Sequence, residues 1–283
     1  MSKHFTLPNN PIPWHASPRD LSGDVPDVPY MGVYTHETTQ RYILGTRYIT
    51  WDGRAFRYSK AGYPVNTALG AWTGDYQAIA RWGEFGVAHP KGSNPIIVTT
   101  ENLYDGVAYD GVFAEDVLAG GYIVLWPTGL GSTDYGIIGN DLLEAAGALT
   151  IYLDAPTRET ITKDAGSCEA IFSPYRKLMG AGSTPGSSSR HPIMGVPMST
   201  ALTDEYFWVQ TWGPIHIATS DAAVGSAGSN FDLVFGSNGI PMANDSGNDQ
   251  LLQHCGFTLA QGGGSGGASP EQGSPFVMLQ ISP

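Results

Sequence analysis

The residues able to do chemistry are few and scattered. Seven histidines, His4, His15, His36, His89, His191, His216 and His254, include no pair at i,i+4 or HxH spacing. Those spacings would aim two imidazoles at one metal or one substrate. Cys168 and Cys255 form no CxxC pair and no zinc spacing. Two buried free thiols are expected of them, since free cysteine is among the most buried residue types; a single disulfide stays open. Asn244, Asp245, Ser246, Gly247, Asn248 and Asp249 form an oxygen-rich loop. It lacks the alternating order and the distal Glu of a calcium loop, so a turn is expected. Gly263 to Gly267 formally satisfies GxSxG. A nucleophile elbow needs a strand-to-helix turn in an α/β sheet, and this serine stands in a glycine tract. No P-loop or dinucleotide fingerprint is present. The expectation is therefore no catalytic residue, no metal and no cofactor. One opening remains: two carboxylates meeting in a cleft, as glycosidases require. With Trp51, Trp72, Trp82, Trp126, Trp208 and Trp212 available for stacking, a protein that binds or cleaves host-surface glycan is the reading from a different class.

Other residues suit contact better than catalysis. Arg41, Arg47, Arg54, Arg57 and Lys60 fall within twenty positions. The stretch DEYFWVQTWGPIHI, residues 204–217, holds Tyr206, Phe207, Trp208 and Trp212. In a strand, Tyr206, Trp208 and Gln210 share one face, and Phe207 and Val209 the other. Large residues on both faces imply that both are covered, in a sandwich or at a subunit interface. Gly213-Pro214 should end or bulge this strand, because proline cannot donate to a central ladder. Residues 1–32 hold six prolines together with Trp14, Tyr30 and Met31. Proline enforces extended geometry, so this segment is expected to be an extended arm whose apolar anchors lie against a neighbouring subunit or another protein. The candidate interface residues are thus Trp14, Tyr30, Met31, Arg41, Arg47, Arg54, Arg57, Tyr206, Trp208 and Trp212.

The elements that position these residues read as strands. Charged residues are 14% of the 283, against about 25% in an ordinary soluble domain. A chain rich in Gly, Ser, Thr, Tyr and Trp favours strands and turns. RYITW and RAFRY, around Asp52-Gly53, predict a hairpin over 40–60 with a two-residue turn. Arg47, Ile49 and Trp51 then share one face and Tyr48 and Thr50 the other, so the basic residues need not make one patch. DYQAIARW fits a short helix or a strand, as does NDLLEAA, and FAEDVLAGGY reads as a turn or a single helical turn. Further strands are expected at PIIVTT, GGYIVLWP, DYGIIGND, ALTIYLDAP, HPIMGVPMS, FDLVFGSN, HCGFTLA and PFVMLQIS. Turn signals every 8–15 residues mark an all-β antiparallel sandwich or barrel with at most short helices. The expected organisation is an arm at 1–32, a hairpin-containing module at 33–90 and a main β domain at 91–283. The Gly-rich stretch 261–275 joins two strands as a flexible surface loop.

Net charge is −12, with nine Lys/Arg in residues 1–100, five in 101–200 and none after Arg190. Nucleic acid is a poor partner for such a chain, since phosphate neutralisation needs Lys and Arg. The asymmetry does permit one face suited to an acidic surface. No apolar run long enough for a membrane span is present, and MSKHFTLPNNPIPWH lacks the apolar region of a signal peptide.

Read in order, GGYIVLWPTGLGSTDYGIIGN (120–140), ALTIYLDAP (148–156), IFSPYRKLMG (171–180), HPIMGVPMSTALTDEYFWVQTWGPIHI (191–217) and the terminal FVMLQIS form a series. It resembles virion structural proteins of tailed, aquatic bacteriophages. The likeness is best over 94–217 and looser over 40–60. It implies a place on the virion, assembled in the bacterial cytoplasm, and no enzyme. Our inference within that class is a capsid decoration or cement protein, homotrimeric, bound to the major capsid protein or another virion protein. A head fibre, tail or adaptor protein is the nearest alternative.

Overall fold

The computed structural model describes residues 32–50, 52–73, 79–100, 110–127, 131–180, 192–219, 231–236, 239–244, 252–260 and 276–283. All regular structure in them is strand, in two antiparallel sheets. The segments expected as helix or strand resolve accordingly. DYQAIARW supplies a strand, and NDLLEAA and FAEDVLAGGY form bends and turns. No helix of the described residues is long and apolar enough to cross a membrane. The arm with Trp14, Tyr30 and Met31, the oxygen-rich loop from Asp245 onward and the Gly-rich stretch 261–275 lie outside the described residues.

The chain divides into two compact units, one containing Asp75–Pro174 and the other the flanking stretches to Gly74 and from Tyr175. These limits differ from the 33–90 and 91–283 modules read from composition. Long-range pairing sets them. Ala71–Thr73 pairs with Leu178–Met179 and with Ile193–Pro197, so about a hundred residues are looped out between partners in one sheet.

The looped-out unit holds β5 (Ile79–Glu84), β6 (Ile96–Thr99), β7 (Tyr122–Trp126), β8 (Thr133–Asn140), β9 (Ala148–Leu153) and β10 (Ser167–Ile171), ordered β5-β10-β7-β8-β9-β6. The edge strands β5 and β6 lie in contact, so the sheet curls almost onto itself. Alternation explains its core. Ile123 and Leu125 of β7, Leu149, Ile151 and Leu153 of β9, and Cys168 of β10 are buried at every second position, with Phe113 and Leu118 among them. Asn140, 1% exposed, fastens this core to the 114–118 turn. Its Oδ1 accepts from Leu118 N–H (2.9 Å), and its Nδ2 donates to the carbonyls of Ala114 and Asp141 (both 2.9 Å).

The second unit contains β1 (His36–Glu37), β2 (Arg47–Ile49), β3 (Ala55–Lys60), β4 (Ala71–Thr73), β11 (Leu178–Met179), β12 (Ile193–Pro197), β13 (Tyr206–His216), β14 (Asp232–Phe235), β15 (Pro241–Ala243), β16 (His254–Ala260) and β17 (Phe276–Gln280). β13 is its spine. Residues 206–212 pair with β3, 206–207 with β1, 209–210 with β12, and 212–216 with β17. The β16–β17 hairpin forms as the sequence implies. Gly213-Pro214 was expected to end or bulge β13, and the strand does not end there. It bulges one step earlier, between Gln210 and Trp212 against β3, and runs on to His216. Beyond Trp212 its registered partner among the described residues is β17 alone, so proline's missing N–H leaves no central ladder broken. Gly213 permits the change of partner. Its φ is +98°, and a Cβ there would stand 2.9 Å from Arg54 Cγ.

Candidate functional site

The predicted hairpin forms, with Arg47 opposite Arg57, Tyr48 opposite Phe56 and Ile49 opposite Ala55. Its turn is wider than the two residues expected. Thr50 N–H donates to Arg54 O (2.9 Å) and Gly53 N–H to Thr50 O (3.0 Å), with Gly53 at φ +83°. A residue in left-handed geometry closing such a turn is the usual solution for a three-residue hairpin loop. Because β3 also pairs with β13, the hairpin carries the basic residues to the aromatic strand. Arg41, Arg47, Arg54, Arg57, Tyr206, Trp208 and Trp212, separated by as much as 171 positions in sequence, all fall on β2, β3, β13, the segment before β2 or, for Arg54, the turn between β2 and β3.

One face of this assembly is an aromatic core. Trp208 is fully buried against Tyr42 (5.6 Å between ring centres), Tyr58 (5.3 Å) and Tyr48 (6.0 Å). Tyr42 meets Tyr58 edge-on at 5.0 Å. Burial pushes the Tyr58 hydroxyl well above its usual range, while its oxygen accepts the Arg41 backbone N–H (3.1 Å). Tyr206 stacks on Tyr58 at 5.8 Å and stays half-buried. Trp208 thus shapes this region from inside, and Tyr206 and the half-buried Trp212 reach its surface. Phe207 and Val209 are equally buried on the opposite face, with Val65, Tyr175 and Leu178. The double coverage read from the alternating large residues is present.

The basic residues divide into two kinds. Arg41 is ion-paired with Glu37 four residues before it. Arg54 Nε meets Asp52 Oδ2 at 2.8 Å, its Nη1 donates to Tyr34 Oη at 3.0 Å, and its guanidinium lies 5.6 Å from the centre of the Phe56 ring. Lys60 Nζ holds Asp204 Oδ1 at 2.8 Å; this bond keeps the Asp204 carboxyl below the ordinary carboxylate range. Arg47 and Arg57 have no such carboxylate among the described residues.

A cleft of about 420 Å³ opens beside Arg41, lined by His36, Glu37, Thr38, Thr39, Arg41 and Glu205. It brings two carboxylates together, which the sequence left open. Glu37 is held by Arg41. Glu205 Oε2 accepts Leu202 N–H at 2.7 Å and lies 3.8 Å from His36 Nε2. Its lining includes no Trp, Tyr or Phe ring on which a sugar could stack. Among the described residues no three His, Cys, Asp or Glu side chains gather as a metal site would need. Both cysteines are free, with burial pushing the thiols far above their ordinary range, so neither presents a thiolate.

A second surface escaped the sequence reading. Phe231 (56% exposed), Phe257 (39%), Leu259 (47%) and Phe276 (51%) lie on or beside the adjacent strands β14, β16 and β17. Phe257 stands opposite the half-buried Met278, and Phe276 meets His216 at 6.3 Å. Simple alternation puts Phe257 on the same side as Cys255, which is fully buried. A bulge separates them: Leu233 pairs with Gly256 but Val234 with His254, leaving Cys255 as the extra residue. Gly256 carries it at φ +142°, where a Cβ would meet Met278 O at 1.9 Å. The signal in the sequence was this glycine within an apolar strand, which marks a bulge or a close backbone approach.

Comparison of the chain with known protein families, with curated proteins and with solved structures finds no match.

Proposed function

We propose that this chain is a structural protein of a bacteriophage virion, a decoration or cement protein that binds the assembled shell at capsomer junctions. Its work is binding, not catalysis. It stabilises the shell because it binds the assembled form more tightly than its parts, which is mass-action linkage and needs no reacting group. The family resemblance of the motifs suggests the virion. The observation that carries the binding role is the exposed apolar face of β16 and β17.

That face is a poor thing to leave in water, at roughly 25 cal/mol per Å² of apolar surface. Phe257, Leu259 and Phe276, each about half exposed, present on the order of 250 Å², near the lower end of a functional patch on a monomer. It is less than half of the roughly 800 Å² per partner that a stable pairwise complex buries. One such contact repeated around a junction suits a protein held by several neighbours at once, and local three-fold axes make a homotrimer the natural form.

Imaging intact particles by cryo-electron microscopy tests the proposal. Density for two β units at capsomer junctions, with Phe257 and Phe276 against a neighbouring chain, is the expected result. Density at the tail or neck would move the protein to another virion role, and its absence from purified particles would end the reading. In parallel, the double variant Phe257→Ser, Phe276→Ser should fold normally yet fail to add to undecorated shells.

A further inference from the structure

Arg47 and Arg57 stand directly opposite each other in the β2–β3 pair. Like charges in that relation destabilise a sheet. Arg41, Arg54 and Lys60 each have a carboxylate, but these two guanidinium groups have none among the described residues. Arg57 Nη1 donates to Gly45 O at 3.1 Å, while its Nε is shut off from water and has no hydrogen-bond acceptor. Desolvation, and then the Arg57 charge, push the Arg47 guanidinium below its ordinary range.

Edge protection is the simplest account of a charge here, since a Lys or Arg on an edge strand discourages addition of another strand. It covers Arg47, because among the described residues β2 pairs only with β3. It does not cover Arg57. β3 is flanked on both sides, by β2 and by β13, and Arg57 lies opposite the fully buried Val209. A half-buried charge on an inner strand, facing a second charge of the same sign, breaks a local rule. Such breaks are expected where a sequence serves binding.

We propose that Arg47 and Arg57 form a binding site for carboxylate groups on an acidic protein surface. A guanidinium fork matches a carboxylate with two parallel hydrogen bonds, and a bound carboxylate relieves the repulsion between the pair. Ile49, 37% exposed and two residues from Arg47 on the same face, adds an apolar contact of the kind a protein surface offers. Nucleic acid is disfavoured as the source of the anion. Two arginines neutralise too few phosphates to hold a nucleic-acid backbone, whereas two guanidinium forks suffice for one or two carboxylates. The site does not depend on the virion reading, since an acidic partner of any origin fits it.

Full-length protein and the variants Arg47→Gln and Arg57→Gln are compared in thermal melts at low ionic strength. Each is run alone, with a hexaglutamate peptide and with a hexathymidylate oligonucleotide. Unliganded Arg47→Gln should melt about 1–2 °C higher than the parent, because it removes repulsion, and added salt should shrink that gain. Hexaglutamate should raise the parent's melting temperature saturably, and each variant should bind it at least tenfold more weakly. A lower melting temperature for unliganded Arg47→Gln would overturn the proposal. So would equal hexaglutamate binding by Arg47→Gln, which lies on the exposed face and should fold even if Arg57→Gln does not. A hexathymidylate effect as large as that of hexaglutamate would assign the pair to a phosphate polyanion and reject the carboxylate site. None of these outcomes bears on the β16–β17 face, whose own variants test the virion role.

Discussion

Residues 206–211 of β13 and the β16–β17 hairpin belong to the same sheet and have similar compositions, yet they meet water differently. In β13, Phe207, Trp208, Val209, Gln210 and Thr211 are all buried, on both faces. In β16 and β17 one face is buried through Cys255, Val277 and Leu279, and the other leaves Phe257, Leu259 and Phe276 exposed. Hydrophobicity alone does not separate the two. Coverage does. β13 has β3 and its aromatic cluster on one side and the Phe207–Val209 cluster on the other, whereas nothing among the described residues covers the outer face of β16. Apolar residues mark a core where the chain supplies a second layer, and a contact surface where it does not.

The largest expected effect lies in the doubly covered strand. Trp208→Ala should cost about 3–5 kcal/mol, the usual range for emptying a large core aromatic, read from denaturant melts. A cost below about 1 kcal/mol would break the comparison, because β13 would then be no better packed than β16. Asn140→Ala should come next, at about 1–3 kcal/mol, since it leaves the buried Leu118 N–H without its acceptor and removes two bonds to the part-buried carbonyls of Ala114 and Asp141. Gly256→Ala sharpens the comparison from the other side. It strains a left-handed backbone and drives Cβ onto Met278 O, so about 1–3 kcal/mol is expected. It should also disturb the exposed face, seen as altered hydrogen exchange in β16 and β17.

Acid should have a smaller effect. The Lys60 hydrogen bond and charge lower Asp204, and the Asn244 side chain, followed by His254, lowers Asp232. A carboxylate depressed in the folded state adds stability above its unfolded value, about 3.9, and loses it as pH falls through the lower folded value. Melting temperature should therefore hold above about pH 5 and decline below about pH 4. Asp232→Asn and Asp204→Asn together should flatten that decline; an unchanged profile would assign it to other carboxylates. The smallest stability effect is assigned to Phe257→Ser with Phe276→Ser, within about 0.5 kcal/mol. A loss of several kcal/mol would show that those rings are structural.

Much of this was readable beforehand. The hairpin around Asp52-Gly53 was readable, but its register was not: a two-residue turn would set Arg47 opposite Tyr58, and the extra residue in the observed turn sets it opposite Arg57. The two-faced burial of β13 followed from large residues at consecutive positions. The cleft did not follow: Glu37 and Glu205 meet only because β1 pairs with β13 across about 170 residues, and no local pattern encodes that pairing. The same holds for the unit boundaries, which depend on β4 finding β11 and β12.

By itself the sequence determined the strand class, the hairpin and the period-two burial of strands such as β7 and β9, since side-chain direction in an unbroken strand is a local property of the backbone. Only the tertiary structure decided which way Phe257 points. Cys255 and Phe257 are two residues apart, and alternation would send both into the core. The extra residue at the Cys255–Gly256 bulge reverses the face, and that bulge exists because β14 and β17 both register against β16 at this point. A strand's alternation is thus written in its own residues, but its interruptions are settled by its neighbours.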